Sequence, residues 1–256
     1  MRIATFNVNG IAARLPRLLE WLAAARPDVA CLQEIKCVDE KFPVKEVEAA
    51  GYHALVHGQK GFNGVAILSR EPAVEVRRGL PGDDTDEQAR YLEADVNNVR
   101  IASIYLPNGN PQPGPKFDYK LAWLARLEAR AAALKAAETP AVLAGDYNVA
   151  PEDRDVFSMA AMADDALVQP ASRAAFRRLV HQGWTEALRS VHPADEHLYT
   201  FWDYQAGCWP RNAGLRIDHV LLSPAVADRL LSAHVDRAAR GEDKASDHAP
   251  VWIDIA

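Results

Sequence analysis

Aspartate, asparagine and histidine recur in this sequence at the ends of apolar runs, where rigid backbone can aim a side chain. GDYNVAP carries Asp146 and Asn148 two residues apart, a spacing that turns both to one face of an extended chain. RIDHV sets Asp218 inside an otherwise apolar run, where turn formation does not explain it and a buried carboxylate needs a partner. SDHAP places Asp247 beside His248 just before the apolar run that ends the chain, and an acid commonly fixes an imidazole's tautomer, so Asp218 and His248 make a natural pair. FNVNG brings Asn7 and Asn9 ahead of Gly10, and CLQEIK brings Gln33 and Glu34 to the end of another run. Each stretch taken singly reads as a turn, because Asn and Asp bond their own backbone there. Five such stretches closing buried runs point to convergence. Carboxylates, carboxamides and one imidazole form an oxygen-rich set that suits Mg2+ or Mn2+ better than zinc. That set serves phosphoryl chemistry, where catalysis is mainly positioning and charge stabilisation.

Strand-like patterns cover residues 3–7, 29–33, 53–56, 65–69, 74–77, 91–96, 100–106, 141–145, 217–222 and 251–255. Helical patterns lie between them: Leu15, Leu18, Leu19 and Leu22 form one 3.6-period stripe, and Phe117, Leu121, Leu124, Leu127, Ala131 and Leu134 a longer one closed by Pro140. Short turns mixed with helical crossovers predict mixed rather than purely parallel sheets. So many strands in one open sheet would tend to split. The fold class expected is therefore α/β, a four-layer sandwich of two packed mixed β-sheets flanked by helices, with residues 1–256 forming a single domain.

A formal net charge of −6 excludes a protein that holds nucleic acid by bulk electrostatics, though not one with a local basic face. Arg173, Arg177 and Arg178 read as a solvated helix face. The first residues show no basic segment followed by an apolar one, and no apolar run approaches the ~20 residues of a membrane span. Three cysteines without zinc-type spacing suit a reducing compartment, so a cytoplasmic location and no membrane partner are expected.

In chain order, FNVNG, CLQEIK, GFNGVAILS, IYLPNG, GDYNVAP, YTFWDY, NAGLRIDHVLLS and SDHAPVW resemble the exonuclease III family of abasic-site endonucleases, within the endonuclease/exonuclease/phosphatase fold. The resemblance covers essentially the whole chain. It implies a monomer that acts on double-stranded DNA with Mg2+, for which Mn2+ can substitute, incising 5′ to abasic sites and removing 3′ nucleotides or 3′ blocking groups. It also implies a set of roles. Asn7, Glu34, Asp146, Asn148, Asp247 and His248 would surround the metal, with Glu34 as its principal ligand. Asp146 would deprotonate the attacking water, Asn148 and His248 would hold phosphate oxygens, and Asp218 would stand behind His248. Tyr105 would meet the phosphate or leaving group, and Asn108 a backbone phosphate. Phe201, Trp209, Leu215 and Ile217 would line a pocket for the base-less sugar, which is cheap to extrude because little stacking is lost. Phe62 would wedge into a groove, and Arg216 would contact DNA. Asn9 reads as a turn residue, Lys36 as a solvated charge, and His219 as facing away from the site. FSMAAMADDALV departs from the family pattern, and Asp164 and Asp165 put negative charge where DNA should approach. The alternatives are a 3′-5′ exonuclease/3′-phosphatase with weak abasic incision, and a catalytically dead DNA-binding protein.

Overall fold

Both faces of the central strands are apolar, and that decides the architecture. In the computed structural model, which describes all 256 residues, the strands form two six-stranded sheets. One contains β1 (Arg2–Asn7), β2 (Val29–Gln33), β3 (His53–His57), β4 (Val65–Ser69), β11 (Leu230–Val235) and β12 (Val251–Ile255), in the spatial order β11-β12-β1-β2-β4-β3. The other contains β5 (Val74–Arg78), β6 (Tyr91–Val96), β7 (Val99–Tyr105), β8 (Ala141–Asp146), β9 (Thr185–Glu186) and β10 (Asp218–Leu222), in the order β5-β6-β7-β8-β10-β9. β1 pairs with β2, and β7 with β8, in parallel. The remaining pairings are antiparallel, so both sheets are mixed as expected.

Alternation along each strand builds the layers. Ile3 of β1 and Val142 and Ala144 of β8 belong to the cluster between the sheets. Ala4 and Phe6 turn outward to Leu18, Trp21 and Leu22 of the helix Ile11–Ala25. Ala141 and Leu143 turn outward to Trp123, Leu124 and Leu127 of the helix Pro115–Ala136 and to Phe176 of the helix Pro170–His181. Helix, sheet, sheet and helix make four layers. No helix is long and apolar enough to cross a membrane.

Two strands escape the sequence pattern. β9 has only two residues, and β11 is an edge strand whose Leu231 faces solvent, so neither shows clean alternation. In the long helix the buried stripe includes Lys120 and Trp123, whereas Phe117 and Leu121 are only half-buried.

Register brings the polar strand ends together. Asn7 pairs with Gln33 across β1 and β2, while Tyr105 and Asp218 flank Asp146 from β7 and β10. Gln33 itself turns between the sheets, donating to Ser103 Oγ at 3.1 Å and accepting from Thr5 Oγ1 at 3.1 Å. A polar link thus ties the two sheets beside their shared end.

Arg216 does not reach DNA, contrary to the expectation. Its guanidinium is 2% exposed and donates to both Asp155 oxygens at 2.8 and 2.9 Å, with Glu186 at 3.1 Å. His219 joins this network through Nδ1, 3.1 Å from Arg216 Nη1, while its Nε2 bonds Val149 O at 2.9 Å. Burial works against the Asp155 carboxylate, but Arg216 holds it below the usual range. Removing one partner of a buried pair strands the other charge. Asp155→Ala should therefore cost about 3–5 kcal/mol in denaturant unfolding; a loss below about 1 kcal/mol, the range of exposed pairs, would show the network to be solvated.

Candidate active site

The end of the sandwich where these strand termini meet holds an open cavity of about 610 Å³. Beneath its floor lies Asn7, fully buried and outside the lining. The Asn7 amide donates to Glu34 Oε1 and to Asp146 Oδ2, both at 2.9 Å, and its oxygen accepts from the N–H of Asn9. Asn7 therefore presents hydrogens to the centre and bridges two carboxylates rather than acting as an oxygen ligand. Gly145, just before Asp146, is dictated by packing: a Cβ there would lie 2.0 Å from Ile104 O, so β7 and β8 could not close up.

Asp146 Oδ1 accepts from Asn148 N at 2.9 Å. The chain is thus turned, not extended, at Asn148, whose φ is 48°. Both side chains nevertheless line the cavity. Glu34, Lys36 and Asn9 also lie in the left-handed region, at φ 53°, 55° and 45°. Such backbone is uncommon for Glu and Lys and costs on the order of 1–3 kcal/mol per residue, strain typical of functional sites.

His248 stands opposite. Its Nδ1 bonds Asp218 Oδ2 at 2.9 Å, an oxygen that also accepts from Thr200 Oγ1 at 2.6 Å. Its Nε2 lies 3.8 Å from Asp146 Oδ2, and Phe201 covers the ring with centroids 4.9 Å apart. Burial opposes the imidazolium, but Asp218, Asp146 and Asp247 outweigh it and push His248 up to about 10. Burial, with Asp218 and Glu34 near, pushes Asp146 up to about 7 despite the pull of His248. Burial also raises Glu34, yet hydrogen bonds from Asn7 and Lys36 bring it below the ordinary range. Tyr105 is raised well above its usual value, first by burial and then by the Glu34 and Asp146 charges, so it remains a phenol able to donate.

Glu34, Asp146 and His248 each offer a ligand atom, all within 4.8 Å of one another. An acidic, mostly oxygen-bearing set of this size fits a hard divalent cation. Asp247 stands apart from that group and instead accepts from Asn9 Nδ2 at 3.0 Å. Asn148 turns its oxygen to Asn108 Nδ2 at 3.1 Å.

Phe201, Leu215 and Ile217 line the cavity as expected, and Asn108 stands at its edge. Trp209 does not line it. Its ring packs edge-on against Trp202 at 4.9 Å and beneath Arg237 and Arg240, leaving Cys208 in the wall. Phe157, Met162, Asp165 and Leu167 close the other side, whereas Asp164 is outside the lining. Phe62 is 75% exposed on the β3–β4 connection, free to meet a large ligand. Asn9 and Lys36 belong to the site although their residue types read as turn and solvent: Lys36 Nζ pairs with Glu34 Oε2 at 2.9 Å and donates to Asn9 Oδ1. Their spacing of two residues from Asn7 and Glu34 was the available signal. The Thr200 contact to Asp218 had none.

The sequence matches the endonuclease/exonuclease/phosphatase family over residues 4–248. It is 33% identical to exodeoxyribonuclease III of Haemophilus influenzae, an alignment covering 100% of both chains. A 3′ phosphatase from Neisseria, NExo, solved with a product DNA hairpin, superposes with a TM-score of 0.97 at 38% identity, covering 100% of this chain and 99% of that one. An AP endonuclease from Archaeoglobus fulgidus superposes at 0.94 with 36% identity and the same coverage.

Asp218 supports the imidazolium with a charge at contact distance. Asp218→Asn should lower the His248 titration by about 1–3 pH units. Imidazole NMR across the pH range measures this, and an unmoved titration would detach Asp218 from the charge state of His248.

Proposed function

The chain belongs to the endonuclease/exonuclease/phosphatase family and is a DNA-repair hydrolase, and we propose that it is a Mg2+-dependent phosphodiesterase. On this reading it incises duplex DNA 5′ to abasic sites and clears 3′ nucleotides and 3′ blocking groups. The observation that carries the reading is the row Asp218–His248–Asp146, with Glu34 beside it, at the floor of an open cavity. Asp146, poised near neutrality by burial, accepts a proton from the attacking water. His248, held at Nδ1 by Asp218, serves a phosphate oxygen through Nε2–H. The Tyr105 phenol donates to the phosphate or to the departing oxygen, and Asn148 and Asn108 offer amide hydrogens on the same side. Glu34 and Asp146 would hold Mg2+, for which Mn2+ can substitute, and the ion would supply positive charge against the negative charge developing on the phosphate and the leaving 3′-oxygen. Phe201, Leu215 and Ile217 give an apolar seat for a sugar without a base.

One feature favours a second reading, in which 3′-end clearing dominates and abasic incision is weak. Asp165, between Met162 and Leu167, puts a carboxylate on the cavity wall where an uninterrupted DNA strand would continue. A 3′ end needs no such continuation.

Asp146→Asn should lower turnover by about 10²–10⁴ while duplex binding persists; normal cleavage by this variant would show that another group activates the water. Substrate choice is tested with labelled duplexes carrying an abasic analogue, a 3′-phosphate or a plain recessed 3′ end. Asp165→Asn keeps the hydrogen bonds from Leu167 N and Asn110 while removing the charge. If repulsion restrains incision, this change should raise the abasic-to-3′-phosphate rate ratio at low salt, and the gain should shrink as salt rises. A ratio indifferent to both would leave the apolar walls as the selecting element.

A further inference from the structure

Lys120 occupies a position in the apolar stripe of the helix Pro115–Ala136, between two layers where methionine or leucine would pack as well. Its side chain is 0% exposed. Burial opposes the charged form and pulls Lys120 down to about 7, while the Asp146 and Asp165 charges favour it. Its hydrogen-bond partners are both neutral: Asn108 O at 2.9 Å and Asn148 O. These are the backbone carbonyls of the two asparagines whose side chains face the cavity.

The surrounding loop is shaped to this lysine. Gly109 has φ 93°, and a Cβ there would come within 2.6 Å of Lys120 Cδ, so the turn after Asn108 closes directly over the aliphatic stem. Asn108 Nδ2 donates to Asn148 Oδ1 at 3.1 Å, and Asn148 Nδ2 donates to Leu106 O at 2.9 Å. The two carboxamides are thus tied to each other at their tips and to one ammonium at their backbones. Neither peptide can rotate without losing its hydrogen bond from Lys120. We propose that Lys120 is a positioning residue, whose ammonium locks the carbonyls of Asn108 and Asn148 and thereby aims both carboxamides at the phosphate. The inference rests on the phosphodiesterase reading and adds a residue to it.

The test is Lys120→Met, assayed with a 3′-phosphate duplex beside the wild-type protein and beside Leu124→Ala, a core change one turn further along the same helix. Misplaced phosphate contacts predict a kcat loss of about 10²-fold for Lys120→Met with KM nearly unchanged. Melting temperature is read alongside, because the change removes a buried charge but leaves the carbonyls of Asn108 and Asn148 without their donor, and kcat is compared well below the melting temperature of each variant. Leu124→Ala should lose melting temperature and keep its kcat. Should Lys120→Met not fold, Lys120→Leu carries the same expectation. A kcat within about threefold of wild type, or a kcat loss in Leu124→Ala as large as that in Lys120→Met, overturns the inference. If the wild type itself cleaves nothing, the functional reading falls and this one with it; if only the variant is unimpaired, the functional reading stands.

Discussion

Asp146 and Asp218 face each other in register on adjacent strands, both buried, with Glu34 close by. Like charges in that position repel, and burial denies them water. Everything around them offsets this. His248 lies between the two aspartates, Thr200 and the Asn148 N–H satisfy one oxygen of each, and Asn7 spans from Asp146 to Glu34. The residual imbalance appears as an aspartate held near neutrality beside a histidine held charged. That pairing of a proton acceptor with a proton donor is what hydrolysis of a phosphodiester needs, and the fold produces it by placing strand ends from both sheets at one edge.

Much of this arrangement is legible in the sequence. Polar residues that terminate apolar runs carry their own signal, so Glu34, Asp146, Asp218 and His248 emerge before any coordinates. The four layers follow from strands that are apolar on both faces. What stays hidden depends on direction and not on residue type. Arg216 sits two residues before Asp218 in one motif, yet it precedes the strand that starts at Asp218 and turns into a buried pair with Asp155. Trp209 shares an aromatic-rich stretch with Phe201, but its neighbours Arg237 and Arg240 come from a distant segment and draw it behind the wall. Lys120 occupies a stripe position where charge is not expected, and only the carbonyls it meets explain it.

On the proposed reading, the walls of the cavity would carry the choice of substrate and the floor the chemistry. The floor is assembled from strand termini and is therefore rigid. The walls come from the segments around Phe157–Leu167 and Phe201–Leu215, which lie outside the strands of the two sheets. Relatives named for 3′-phosphatase and AP endonuclease activity superpose equally over the whole chain, which fits a division in which loops redirect a shared floor.

The central claim is that the buried Asp146 carboxyl holds a proton near neutrality in the place where a divalent cation would bind. Calorimetric titration with Mg2+ at pH 6.5 and pH 8, in buffers of different ionisation heat, tests it directly. The account predicts tighter binding at pH 8 and proton release on binding at pH 6.5, with the release abolished in Asp146→Asn. Equal affinity at both pH values with no proton released would contradict it.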